Sequence, residues 1–175
     1  VGAGLLSSKT GTAPAARSRV NAGYLVDVVF QHVSRRTVIM RTPTPQSVGW
    51  TASGITTLKP YRGPLMITKS GTVLDGVDIT GSIVIAANNV TIRRSRIQST
   101  TDWYAVRQYS QFHGLKLSYV EVTALPGAVP DQALSAGTNA VLDHVYIHGM
   151  QRGVYVTSGM SITNSYLDDF INNSD

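Results

Sequence analysis

The stretch Gly71-Thr-Val-Leu-Asp-Gly-Val-Asp-Ile-Thr-Gly-Ser-Ile-Val-Ile-Ala-Ala-Asn-Asn-Val-Thr-Ile-Arg-Arg-Ser-Arg-Ile97 contains one eight-residue pattern twice, as Thr72–Ile79 and Val90–Ile97. Three further copies follow: Leu115-Lys-Leu-Ser-Tyr-Val-Glu-Val122, Ala140-Val-Leu-Asp-His-Val-Tyr-Ile147 and Met160-Ser-Ile-Thr-Asn-Ser-Tyr-Leu167. The third position is always Leu or Ile (Leu74, Ile92, Leu117, Leu142, Ile162), and the eighth is always aliphatic (Ile79, Ile97, Val122, Ile147, Leu167). The sixth is small or aliphatic (Val77, Ser95, Val120, Val145, Ser165). Each copy reads as two very short strands joined by a bend, because apolar and polar residues alternate on both sides of two turn-like residues. Steps between the third positions are 18, 25, 25 and 20 residues.

Between the blocks lies a third apolar piece: Ile83-Val-Ile85, Tyr104-Ala-Val106, Gln132-Ala-Leu134 and Gly153-Val-Tyr-Val156. Three short strands in each repeat of about 22 residues describe a coil, and stacked coils bring equivalent residues about 4.8 Å apart. One coil cannot bury its apolar side alone, so several must stack. The expected architecture is all-β: a right-handed parallel β-helix of about five coils over residues 55–175. A helical period of 3.6 is absent. Hairpins of a β-sandwich need no register repeated across five blocks, and a leucine-rich repeat needs its Leu/Asn signature.

Residues 1–50 do not follow the repeat. Tyr24-Leu-Val-Asp-Val-Val-Phe30 alternates like one half-buried strand, so 1–30 is expected to be the remnant of a β-sandwich-like domain. Residues 31–54, with Thr42-Pro-Thr-Pro45, read as an extended linker. Residues 51–71 read as an entry segment covering the first coil. Ile171-Asn-Asn-Ser-Asp175 follows directly on a block, and bare strand edges invite pairing. The expectation is therefore a chain that continues, or a second subunit over that end.

Charged residues make up 14% of the chain, against about 25% in an ordinary domain, while 42% are hydrophobic. That balance suits extended β-structure rich in β-branched side chains. The net charge is +5, compatible with an anionic surface or glycan. No aromatic residues alternate with the cluster Arg93, Arg94 and Arg96, and no nucleic-acid-binding motif is present, so no nucleic-acid partner is expected. There is no cysteine. No apolar run approaches the ~20 residues of a membrane helix, so membrane insertion is not expected. His32, His113, His144 and His148 show no metal-ligand spacing, and no cofactor is expected from the residues.

The stretch 71–97 resembles the first coils of right-handed parallel β-helix repeat proteins of the pectate-lyase-like superfamily. Thr57-Leu-Lys-Pro-Tyr-Arg-Gly-Pro64 is similar to the entry of actinobacterial and actinobacteriophage members. Asn21-Ala-Gly-Tyr-Leu-Val-Asp-Val-Val-Phe30 is similar to the closing strand of a β-sandwich domain that precedes such helices in secreted and phage-tail proteins. The resemblance implies either cleavage of acidic polysaccharides or a minor tail or tail-spike role gripping host-surface glycan. It also implies association in threes or with other tail subunits, and, in the lyases, calcium held by carboxylates beside a catalytic Arg or Lys. Asp75, Asp78 and the arginines lack that catalytic spacing. Fold alone does not fix function.

The register defines outward columns. The residue after position eight runs Thr80, Gln98, Thr123, His148, Asp168, making His148 and Asp168 neighbours able to share a proton. Asp169 adds a second carboxylate, as in glycosidase pairs. The same residues also read as a solvated turn, the commoner case for a surface pair. Position seven runs Asp78, Arg96, Glu121, Tyr146, Tyr166, in which Tyr146 and Tyr166 form an aromatic ledge beside Glu121, the chain's one glutamate. Tyrosine offers a sugar both a ring and a hydroxyl. The ledge also reads as a ladder that stiffens the sheet. Arg93 and Arg96 are further candidates for holding an anionic sugar. Trp103-Tyr104, with Arg107 and Tyr109, lies where the repeat is broken by length, and such loops often bind.

The leading expectation is a structural and adhesive component of a phage tail or a secreted surface protein. Catalysis by His148, Asp168 and Asp169, as a polysaccharide lyase or glycoside hydrolase, is the alternative. A purely structural virion part is the third reading.

Overall fold

The structure, a computed structural model, describes residues 42–100 and 103–171. The expected β-sandwich remnant of residues 1–30 and the first part of the expected linker lie outside the described residues.

The described chain is all-β apart from two 3-10 turns, Pro45–Ser47 and Thr51–Ser53. Strands β1 (Lys59–Pro60) and β2 (Met66–Ile67) precede the first block. The first block gives β3 (Val73–Asp75) and β4 (Val77–Thr80), and β5 (Ile83–Ile85) follows. In the second and third blocks the two strands run together as β6 (Thr91–Ser99) and β8 (Lys116–Ala124), separated by β7 (Tyr104–Gln108). After β9 (Gln132–Ser135) come β10 (Val141–Asp143), β11 (Tyr146–Ile147), β12 (Arg152–Tyr155), β13 (Ser161–Thr163) and β14 (Tyr166–Leu167).

These strands form two sheets, and every pairing is parallel. One sheet is nine-stranded, with the path β1-β4-β6-β8-β10-β13 and with β3, β11 and β14 beside it. The other is five-stranded, in the order β12-β9-β7-β5-β2. The blocks supply the large sheet and the intervening pieces supply the small one, so the chain passes from one sheet to the other in every repeat.

Register follows the sequence blocks. Leu74 pairs with Ile92, Ile92 with Leu117, Leu117 with Leu142, and Leu142 with Ile162. Ile79, Ile97, Val122, Ile147 and Leu167 form a second such series. Ile92, Leu117, Leu142, Ile79, Ile97, Val122 and Ile147 are fully or almost fully buried, with Ile83, Ile85, Val106 and Leu134 of the small sheet in the same core. Each such side chain contributes about 1.5–3 kcal/mol by leaving water.

The bends between the short strands share one conformation. Gly76, Arg94, Tyr119, His144 and Asn164, the fifth residue of each block, all have φ between 48° and 66°. The residue before each block is also left-handed: Gly71, Asn89, Gly114, Asn139 and Gly159. Glycine and asparagine enter this region at low cost, which explains why only they occupy that second corner. At the fifth-residue bend a following serine replaces lost backbone bonding. The Ser95 hydroxyl donates to the Arg93 carbonyl at 2.6 Å and accepts from the Val77 amide at 3.1 Å. Ser165 does the same with Thr163 and Val145.

The later part of the expected linker is not extended. Residues 45–53 carry the two 3-10 turns, Val48 is 1% exposed, and the Gly49 amide donates to the His144 carbonyl at 2.9 Å. This strap lies on the outer side of the large sheet, because Trp50 and Val48 give it an apolar face that a free linker would leave in water.

Candidate functional site

Two outward faces bring together the residues singled out in the sequence. The first is on the large sheet. Glu121 of β8 stands in register with Tyr146 of β11, which stands in register with Tyr166 of β14, as the block alignment requires. Glu121 is held from two sides: the Trp50 indole donates to Oε2 at 2.7 Å, and His148 Nε2 lies 2.9 Å from Oε1. His148 Nδ1 lies 3.4 Å from the Thr123 hydroxyl. Tyr146 stacks on His148 with ring centroids 4.2 Å apart, and Tyr166 is tilted against Tyr146 at 6.0 Å. Burial, reinforced by the Asp168 carboxylate and then by Glu121, raises the Tyr146 phenol above its ordinary pKa.

The catalytic grouping expected from sequence is arranged differently. Asp168 does follow His148 in register, its amide donating to the Ile147 carbonyl at 3.1 Å. The His148 imidazole nevertheless turns the other way, to Glu121 and Thr123. Asp168 Oδ1 is buried with no hydrogen-bond partner among the described residues, whereas Asp169 takes a left-handed φ of 51° and is exposed. The two carboxylates therefore leave the chain at a bend rather than along one strand. The Tyr146–Tyr166 ledge is partly covered by the strap, since a Cβ at Gly49 would come within 3.4 Å of the Tyr146 Cβ.

The arginine cluster is engaged within the protein. Arg94 grips both Asp75 oxygens, at 2.7 and 2.6 Å, and Arg93 reaches the same carboxylate at 3.0 Å. Arg96 grips Asp78 at 3.0 and 2.7 Å, and Gln98 adds a third bond to it. Hydrogen bonds from Arg94 and from Arg96 hold the Asp75 and Asp78 carboxyls below the usual carboxylate range. The block register already sets Arg96 beside Asp78 and Arg93 beside Asp75; what it does not show is that the side chains close on these carboxylates, with Arg94 sharing Asp75.

The second face is on the small sheet. There Val84, Arg107, Ser135 and Tyr155 form one outward column on β5, β7, β9 and β12. Ser135 is short and stands between two long side chains. Arg107 and Tyr155 are two inter-strand steps apart, about 10 Å, which leaves a gap above Ser135. This gap belongs to a groove of about 350 Å³ lined by Tyr104, Arg107, Tyr109, Ser135, Tyr155 and Thr157 among others. The Arg107 guanidinium carbon lies 4.4 Å from the ring centre of Trp103, 5.1 Å from Tyr109 and 5.5 Å from Tyr104. Trp103 and Tyr104 are in contact at 5.1 Å. Tyr155 is 63% exposed at the other wall. Of the expected Trp103–Tyr104 loop, Tyr104 instead opens strand β7 and lines this groove, while Trp103 meets it only through its contacts with Arg107 and Tyr104. Tyr155 was missed, although its place opposite the inward Val154 marks it as outward-facing.

No group of three or more His, Asp or Glu side chains among the described residues is arranged to hold a metal ion. No protein-family model, curated protein or solved structure matches the chain.

Proposed function

We propose that the chain is a parallel β-helix of the pectate-lyase-like type, serving as a rigid adhesive element of a phage tail or secreted surface protein, and that its small-sheet groove contacts host-surface glycan. The observation that carries this reading is the groove's aromatic lining, with Tyr104, Tyr109 and exposed Tyr155 around the gap above Ser135. Sugar rings present C–H faces to aromatic rings, and the tyrosine hydroxyls and Ser135 supply hydrogen-bonding handles. A volume of about 350 Å³ falls at the small end of ligand sites. The parallel register repeated through both sheets supports the β-helix, because stacked repeats give stiffness along the stack.

The large-sheet cluster supports a different role. Glu121, His148 and Trp50 satisfy one another, so these residues are read as the fastening of the strap. The test of the adhesive reading is retention of the protein on actinobacterial cells or on their purified envelope polysaccharide, with Tyr155→Ala as the variant. Loss of retention in a folded variant supports the groove; unchanged retention removes it.

A further inference from the structure

Arg107 differs in one respect from the other arginines of the described strands. Four other arginines of the described strands each meet an aspartate: Arg93 and Arg94 meet Asp75, Arg96 meets Asp78, and Arg152 meets Asp131. Arg107 meets no carboxylate among the described residues, and its partners there are the rings of Trp103, Tyr104 and Tyr109. Among the described residues no aspartate or glutamate lines the groove; besides Arg107 its polar lining is Ser, Thr, Gln and Tyr.

The chemistry of a stacked guanidinium follows from its shape. Aromatic rings engage its flat faces and leave its N–H groups pointing outward in the plane. Those N–H groups form a fork that matches two oxygens of one carboxylate or phosphate. The half-buried position of Arg107 lessens competition from water, and the rings keep the fork from turning.

We propose that the groove selects a saccharide bearing an oxyanion, and that the in-plane edge of Arg107 receives that oxyanion while Tyr155 contacts the sugar ring. This rests on the groove being the glycan site. The shared chemistry is a planar pair of anionic oxygens, supplied either by a uronate carboxylate or by a phosphodiester of a polyol-phosphate polymer.

The experiment is calorimetric titration of the full chain with three probes of matched length: a hexuronate tetramer, the same tetramer reduced to neutral hexose, and a glycerol-phosphate oligomer. At least one anionic probe is expected to bind about tenfold or more tighter than the neutral tetramer. The tighter anionic probe identifies the source of the oxyanion. Arg107→Lys, which keeps the charge and loses the fork, is expected to weaken that probe about tenfold, with an unchanged melting temperature. Arg107→Gln is expected to bring it to the level of the neutral tetramer. Equal binding of neutral and anionic probes, failure of both anionic probes to bind, or unaltered binding by Arg107→Gln overturns the proposal. The groove itself is judged separately by cell retention of Tyr155→Ala: a loss of retention together with equal binding of neutral and anionic probes leaves the groove standing and removes only the charge selection.

Discussion

Asn89 and Gly114 occupy the same left-handed corner on successive repeats, and the Asn89 amide oxygen fills the space that a Cβ on Gly114 would need. Asn139 and Gly159 repeat the relationship further along the chain. Backbone bonds tie this corner together, from Asn89 N–H to the His113 carbonyl and from Gly114 N–H to the Thr138 carbonyl. The corner combines a backbone conformation that disfavours side chains with a close neighbour. Gly114→Ala is therefore expected to lower stability by about 1–3 kcal/mol, from the left-handed φ and from displacement of Asn89. Gly54→Ala is the control, since Gly54 shares the positive φ but has open space where its Cβ would lie. Urea unfolding of the two variants separates the steric part from the conformational part.

The strap hangs on a short list of contacts, of which Trp50 to Glu121 is the one that desolvates a charged acceptor. Trp50→Phe keeps most of the apolar contact and removes the donor. About 1–2 kcal/mol of local stability is expected to go, which corresponds to roughly tenfold or faster amide exchange at Gly49. Exchange in β6 and β8 is expected to stay as it was. Equal protection of Gly49 in the variant would show that the indole bond does not hold the strap.

Asp78 provides a test by acidity. Its folded pKa lies below the unfolded value, chiefly through the hydrogen bond from Arg96. The stability it contributes is thus present above the unfolded carboxylate pKa of about 3.9 and is lost as pH falls through the lower folded value. Both side chains are partly exposed, so the pair is worth about 0.5–1 kcal/mol. Asp78→Asn is expected to be less stable than the parent at pH 7 by that amount and nearly equal to it below the folded pKa. Urea midpoints across that range check the sign.

Much of this fold was legible in the sequence because its signal is periodic. Third and eighth positions of the middle blocks are buried, with Ile162 of the last block exposed, and the pairings Leu74–Ile92, Ile92–Leu117, Leu117–Leu142 and Leu142–Ile162 are those the alignment of blocks gives. The column Asp78, Arg96, Glu121, Tyr146, Tyr166 also stands as read. Register fixes which residues are neighbours but not which way a long side chain turns. His148 was therefore placed beside Asp168 correctly by backbone, while its ring went to Glu121. The docking of Trp50 could not be read, since it joins residues 71 positions apart that share no repeat. One missed signal was available: the residue preceding each block is always Gly or Asn, which marks a left-handed corner.

The central claim is that the small-sheet groove, and not the large-sheet ledge, meets the glycan. It is tested most directly by co-sedimentation of the full chain with actinobacterial envelope polysaccharide, comparing Tyr155→Ala with Tyr166→Ala, both confirmed folded by their melting curves. The expected result is a loss of about tenfold in affinity for Tyr155→Ala, the scale of one aromatic contact, and none for Tyr166→Ala. Binding by Tyr155→Ala at the parent level, with a loss in Tyr166→Ala, would contradict the claim and move the contact surface to the Tyr146–Tyr166 face.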